Sequence, residues 1–328
     1  MLHNEGLDQR VVELLNMWTG APKLEPWTRI VRSLTSDDRS SVTIAMVGKY
    51  VDLTESYKSL SEALIHSGVA NDCKVSIVYV DSEAIERASA EEAIKQAYNG
   101  QMVDAILIPG GFGQRGSEGK IAAARYAREN NIPYFGICLG LQIATIEFAR
   151  NVAGISEATS AEFDTTSKST VIDIMESQRS VHDKGGSMRL GAYPCALKAG
   201  SKVREIYGKP QISERHRHRF EVNNSFRKQL EQAGLVFSGV SPDEVLVEII
   251  ELKDHPWFVG VQFHPEFQST PKNPHPLFTS FVAAAKARAQ RGTSRSSRDE
   301  SAKKNGSSEK SRQRSVRPSA DYASGELS

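Results

Sequence analysis

A cysteine, a histidine and a carboxylate stand in this chain in settings that suit covalent chemistry. Gly136-Ile-Cys-Leu-Gly140 lies between an apolar, strand-like run and the helical stretch Leu141-Gln-Ile-Ala-Thr-Ile-Glu147. That is the form of a nucleophile elbow with cysteine in the serine position. The turn is too sharp for side chains two residues before and after the nucleophile, hence the flanking glycines. It lifts the sulfur above a sheet, and the helix N-terminus behind it favours thiolate. A free cysteine in an apolar strand more often packs as a small hydrophobe, but the glycine flanks and the strand-to-helix position favour a nucleophile. Such a nucleophile needs a base, and the base an orienter. His264 closes the run Trp257-Phe-Val-Gly-Val-Gln-Phe263 and is followed by Pro265 and Glu266. Nucleophile, base and carboxylate in that chain order satisfy the logic of a triad.

The other histidines have weaker claims. His3, His66 and His275 have no catalytic neighbourhood, and His182 sits in a Ser/Gly/Asp-rich stretch. His216 and His218 have metal-ligand spacing, but Arg215, Arg217 and Arg219 interleave with them and would repel a cation. A second loop with chemical potential is Gly110-Gly-Phe-Gly-Gln-Arg-Gly116. Its Gly111-x-Gly113-x-x-Gly116 spacing matches a dinucleotide fingerprint. It follows the third strand rather than the first, however, and the next strand ends in Cys138 instead of an acid. Glycines there would instead bring backbone N–H groups close to a reacting centre, able to hold an anion. A tight structural turn would use the same glycines.

These loops need a scaffold that gathers strand ends. Val42 to Gly48, Lys74 to Val80, Asp104 to Pro109 and Ile132 to Ile137 read as strands. Helical periodicity intervenes at Ser56 to Ser67, Ala90 to Tyr98 and Ile121 to Asn130. Alternation at this spacing predicts an α/β fold, a doubly wound and mostly parallel sheet with flanking helices. Ligands bind such sheets beyond the carboxyl ends of the strands. The second half adds strands at Met188 to Leu197, Leu235 to Val240, Val245 to Leu252 and Trp257 to Phe263, then a closing helix from Pro276 to Arg288. Before the body, Asp8 to Trp18 reads as a short amphipathic helix. Pro22 and Pro26 break it, and Ser33 to Ser41 reads as loop.

Composition narrows the function classes. Lys and Arg number 41 against 40 Asp and Glu, so nothing pulls the chain toward nucleic acid or a membrane surface. No apolar run is long enough to span a bilayer, and the polar, acidic N-terminus is no secretory signal. Cysteines at 73, 138 and 195 are too far apart for a zinc knuckle, and three cannot all pair. A soluble, reduced, cytoplasmic protein is expected. From Gly292 to Ser328, eleven serines and almost no apolar side chains predict a disordered, slightly basic tail.

Together these residues resemble the class I, triad-type glutamine amidotransferases, specifically the glutaminase domain of CTP synthase. The matching segments are Met46-Val-Gly-Lys-Tyr50, Pro109 to Gly116 with Glu118-Gly-Lys120, Gly136 to Gln142, Met188-Arg-Leu-Gly191, Arg215 to Asn223 and Gln262 to Glu266. The resemblance spans Val42 to Lys286 and implies a flavodoxin-like core. It divides the chain into a synthetase-end and linker segment at 1–41, a glutaminase domain at 42–290 and a tail at 291–328. It implies Cys138 as nucleophile, His264 as base and then acid, and Glu266 as orienter. The oxyanion hole would be the backbone N–H groups of Gly111 and Leu139, which agrees with both loops as read above. Glutamine's ammonium and carboxylate would meet Glu162 and Arg219, with Gln142 and the elbow backbone at Leu139, Gly140 and Leu141 lining the pocket. Phe220 stands where the family has tyrosine, and Leu141 where methionine is common.

CTP synthase aminates UTP in an amino-terminal domain that uses ATP and Mg2+. This chain has no G-x-x-x-x-G-K-[ST] loop and no room for that domain. Its own chemistry is therefore expected to be glutamine hydrolysis without a cofactor. Ammonia would pass to a synthetase domain or subunit, and the full enzyme is expected to be a homo-oligomer. The alternatives are the amidotransferase of another pathway, such as GMP synthesis, or a non-catalytic regulatory module of the same fold.

Overall fold

The computed structural model describes residues 2–49, 51, 53–174 and 188–291. The expectations for His182 and for the tail from Gly292 onward lie outside the described residues. At the centre is a nine-stranded sheet in the order β2-β1-β3-β4-β12-β11-β10-β7-β8. Its first five strands are β2 (Cys73–Asp81), β1 (Ser40–Gly48), β3 (Ala105–Ile108), β4 (Tyr134–Ile137) and β12 (Phe258–Val261), and neighbours among them are all parallel. This is the doubly wound order of a flavodoxin-like core, with the switch point between β1 and β3.

The remaining strands extend the sheet antiparallel: β11 (Val247–Leu252), β10 (Leu235–Val240), β7 (Arg189–Leu197) and β8 (Gln211–His218). A small three-stranded sheet joins β5 (Thr159–Ser160), β6 (Thr170–Ile174) and β9 (Phe220–Val222). The inner strands β3, β4 and β12 and most of β1 are apolar and buried because both faces are covered. α5 (Ala90–Ala97), α6 (Ser117–Glu129) and α7 (Leu139–Asn151) supply one apolar layer. α3 (Lys58–Ala70) and the closing helix α10 (276–291) supply the other.

α7 is buried over most of its length, including Glu147 at 0% exposure. A buried carboxylate is tolerable only when paired. Arg128 of α6 supplies that pairing through three hydrogen bonds of 2.7, 3.0 and 3.1 Å. The fork fixes α6 against α7, the helices that follow the glycine-rich loop and the elbow.

The structure differs from the sequence reading at the N-terminus. α1 (Leu7–Leu14) ends at Leu14 rather than Trp18, buries no residue, and leaves Leu14, Leu15 and Trp18 exposed. Pro26 opens a helix, α2 (Glu25–Thr35), instead of breaking one. Its fixed φ and missing N–H suit a first turn, where the N–H has no partner in any case. The polar stretch from Ser33 is therefore helical to Thr35, and β1 already begins at Ser40. α4 (Ser82–Arg87), capped by the Asp81 side chain, was too short to show a period.

Candidate active site

Three parallel strands deliver the loops to one point. The glycine-rich loop leaves β3, the elbow leaves β4 and the His-Pro-Glu run leaves β12. Cys138 occupies φ 53°, ψ −101°, a conformation rarely adopted by a side-chain-bearing residue. Such strain persists only where its surroundings over-determine it. Here they do. A Cβ on Gly136 would lie 2.5 Å from the Gly140 carbonyl oxygen, and one on Gly140 would lie 2.3 Å from that of Ile108. The elbow closes only with glycine at both flanks.

His264 donates from Nδ1 to Glu266 Oε1 at 2.8 Å. That bond fixes the tautomer and leaves Nε2 for the Cys138 sulfur, with which the ring shares a hydrogen bond. Burial works against an imidazolium at this depth. The Cys138 charge and its hydrogen bond, then Glu266, outweigh it and raise His264 to about 10. That raised value keeps the ring in its imidazolium form beside the sulfur. The sulfur also lies 3.7 Å from Gln262 Nε2 and 3.8 Å from the Arg217 carbonyl oxygen.

A cavity of about 220 Å³ opens on this pair, lined by Ser56, Leu60, Phe112 and Phe267 along with Gly110, Gly111, Cys138, Arg217, His264 and Glu266. The N–H groups of Gly111 and Leu139 find no backbone acceptor among the described residues. A Cβ on Gly111 would stand 3.4 Å from Leu139 Cδ2, so the two residues are neighbours. Two free N–H groups beside a nucleophile can hold a developing oxyanion. Gly110 matters differently: a Cβ there would lie 2.8 Å from His264 Cε1. Gly110→Ala should therefore displace the imidazole and cut kcat about a hundredfold, while the melting midpoint changes little. Unchanged kcat would show that the ring has room to move.

Other expected residues are gathered less directly. Glu162 accepts from the Gly113 N–H at 2.7 Å. Burial raises its carboxyl, while that N–H, Lys49 and Arg219 draw it down. Glu162 and Arg219 are thus within electrostatic reach of one another across the glycine-rich loop, but neither lines the cavity. Gln142 differs from expectation. One turn after Cys138 on α7, it points beneath the elbow, 4% exposed, and donates to the Phe220 carbonyl at 3.0 Å and to Gln262 Oε1 at 3.3 Å. Gln262 and the Arg217 carbonyl, both against the sulfur, were not singled out from sequence. Gln262 sits two residues before His264, and only that placement signals it.

His216, His218 and Glu248 come close enough to hold a metal ion, and all three are buried. Arg189 donates to Glu248 within the same cluster and lies 3.5 Å from His216 Nδ1. Its guanidinium occupies the charge a cation would supply, whereas the interleaved Arg215 and Arg217 lie on the exposed face of β8, away from the cluster. Burial first, then Arg189, pushes His216 to about 2 and His218 to about 3, so both are neutral.

Comparison with known proteins agrees with this geometry. The family model described as "Glutamine amidotransferase class-I" matches residues 52–284. CTP synthase of Geobacter sulfurreducens is 58% identical over 284 residues, covering 87% of this chain and 52% of that protein. CTP synthase of Syntrophus aciditrophicus is 54% identical over 283 residues, covering 86% and 51%. The chain spans about half the length of the curated relatives it matches. Among solved structures, the glutaminase domain of Trypanosoma brucei CTPS with bound acivicin superposes with a TM-score of 0.69 at 44% identity, covering 75% of this chain and 94% of that one.

Proposed function

The chain belongs to the class I glutamine amidotransferases, and on that premise we propose that Cys138, His264 and Glu266 hydrolyse L-glutamine to glutamate and ammonia. The supporting observation is the ordered contact from a strained, glycine-flanked Cys138 through His264 to Glu266 at the mouth of one cavity. The Cys138 thiolate adds to the side-chain amide carbon. The carbonyl oxygen takes the negative charge and accepts from the Gly111 and Leu139 N–H groups. As the C–N bond breaks, the His264 imidazolium gives its proton to the leaving nitrogen, and ammonia departs from a thioester. His264, now neutral, takes a proton from water as the water adds to that thioester. Collapse expels the Cys138 thiolate and releases glutamate, with Glu266 holding the ring throughout.

Glutamine's ammonium would sit against Glu162 and its carboxylate against Arg219. The ammonia would serve a synthetase domain or partner that aminates UTP to CTP with ATP and Mg2+, in a homo-oligomer located in the cytoplasm. No nucleic acid or membrane has a part in this reading. No helix among the described residues is long and apolar enough to cross a membrane.

The test is an assay of this chain with glutamine, measuring glutamate and ammonia. In parallel, UTP, ATP, Mg2+ and ammonia are supplied without any other protein. Glutamate should form in the first and no CTP in the second. Absence of glutamate in the presence of a synthetase half, or CTP without one, would overturn the assignment.

A further inference from the structure

The buried face of β8 carries Ile212, Glu214, His216 and His218, alternating with exposed Gln211, Ser213, Arg215 and Arg217. Glu214 is 2% exposed, a costly place for a carboxylate unless its oxygens are taken up. They are. Oε1 accepts from the Tyr207 hydroxyl at 2.8 Å and from His275 Nε2 at 3.0 Å. The Leu277 N–H donates to His275 Nδ1, which places the ring proton on Nε2 and makes that ring a donor to Glu214. Oε2 accepts from Gln268 Nε2 at 2.8 Å.

The last of these bonds reaches the active site. Gln268 ends the single 3₁₀ turn Pro265–Gln268 that also carries Glu266. The turn is tied to β8 at both ends. The His264 N–H donates to the Arg215 carbonyl at 2.7 Å, and the Gln268 amide donates to the Ser213 carbonyl at 3.1 Å as well as to Glu214. Glu266 needs such support, because its own Oε2 is buried with no partner among the described residues. Only Oε1 is engaged, on His264. Among the described residues no hydrogen bond on the far side of the carboxylate fixes its direction, which leaves that work to the backbone turn beneath it.

We propose that Glu214 is a positioning residue for the reaction, holding the Pro265–Gln268 turn through Gln268 and so aiming Glu266 at His264. Its two oxygens divide the work. Oε1 anchors the carboxylate to Tyr207 of α8 (Lys202–Tyr207) and to His275, while Oε2 holds the turn. The inference rests on the glutaminase reading above.

Glu214→Gln separates the two arms. A glutamine at 214 keeps one acceptor oxygen for Tyr207 and His275, but it turns an N–H2 group toward the donating Gln268 amide. Gln268→Ala cuts the same arm from its exposed end, where folding is not at stake. Each variant should lower kcat for glutamine about tenfold, with KM within about twofold, because misaiming a catalytic group costs the transition state and not ground-state binding. The double variant should be no worse than Gln268→Ala alone, since that variant already removes the contact that Glu214→Gln breaks, along with the bond to Ser213. Tyr207→Phe, which touches only the other arm, should stay within about twofold of the parent. The second readout is the low-field proton resonance of His264 Nδ1–H, which Glu214→Gln and Gln268→Ala should broaden or shift upfield. An unmoved resonance overturns the proposal whatever kcat does, and so do additive losses in the double variant. If the parent chain does not hydrolyse glutamine, the glutaminase reading fails and the resonance alone still decides the clamp.

Discussion

Cys138→Ala should lower glutamine hydrolysis by more than about a thousandfold, because removal of a covalent nucleophile leaves only binding and the oxyanion hole. The fold should survive, since alanine keeps the Cβ and the strained backbone at φ 53°. Cys138→Gly should be equally inactive yet more stable by about 1 kcal/mol, because glycine relieves a conformation that costs about 1–3 kcal/mol in other residues. Stability gained where activity is lost would mark the turn as strained for function. The same alanine variant tests the electrostatics. His264 stands at about 10 because the Cys138 charge, with Glu266, overcomes burial. Without the thiolate, burial regains weight and the ring should lose its proton at lower pH, which an NMR titration of its Cε1 proton reads. In the parent, a raised histidine favours the assembled pair below its ordinary pKa and loses that contribution as pH rises through about 10. Substantial glutaminase activity in Cys138→Ala would remove Cys138 from the mechanism, and an unmoved His264 would show that Glu266 alone holds its proton.

What could be read from sequence follows how each segment is buried. β1, β3, β4 and β12 lie inside the sheet with both faces covered, so they appear as unbroken apolar runs. The elbow was legible because its geometry excludes side chains at 136 and 140, which leaves glycine as a written trace of the turn. β8 left no such trace. Its buried positions include Glu214, His216 and His218, so a strand reading polar but for Ile212 is in fact half core. Apart from nearby Tyr207, its partners Arg189, Glu248, Gln268 and His275 lie far from it along the chain. No local pattern foretells bonds of that kind, and the support beneath Glu266 became visible only with the fold. The antiparallel half of the sheet was similarly opaque in order, though most of its strands were found, because register there depends on long connections rather than on βαβ units. Gln142 was read as lining the glutamine pocket, whereas its amide is buried beneath the elbow, on the Phe220 carbonyl and Gln262.

Arg219 is the residue whose role rests most on resemblance, and the structure supplies a reason to test it. It stands between β8 and β9, one residue before the Phe220 carbonyl that receives Gln142 from beneath the elbow. Its charge lowers the Glu162 carboxyl, which is itself tied to the glycine-rich loop at Gly113. A carboxylate and a guanidinium within electrostatic reach of one another can take the ammonium and the carboxylate of an amino acid. If Arg219 grips the carboxylate as a fork, Arg219→Ala leaves one partner of a desolvated charge pair alone, at a typical cost of about 2–5 kcal/mol. The loss should fall on KM, because an α-carboxylate does not change as the side-chain amide reacts. Arg219→Lys should recover only part of it, since a point charge cannot reproduce two parallel hydrogen bonds. Arg215, on the preceding strand β8, is the control: it is exposed, and its guanidinium lies 5.6 Å over the Phe267 ring. Arg215→Ala should change kcat/KM for glutamine by less than about threefold, the range of surface substitutions. Equal and small effects at 215 and 219 would return Arg219 to the solvated basic edge of β8, and glutamine's carboxylate would then need another partner.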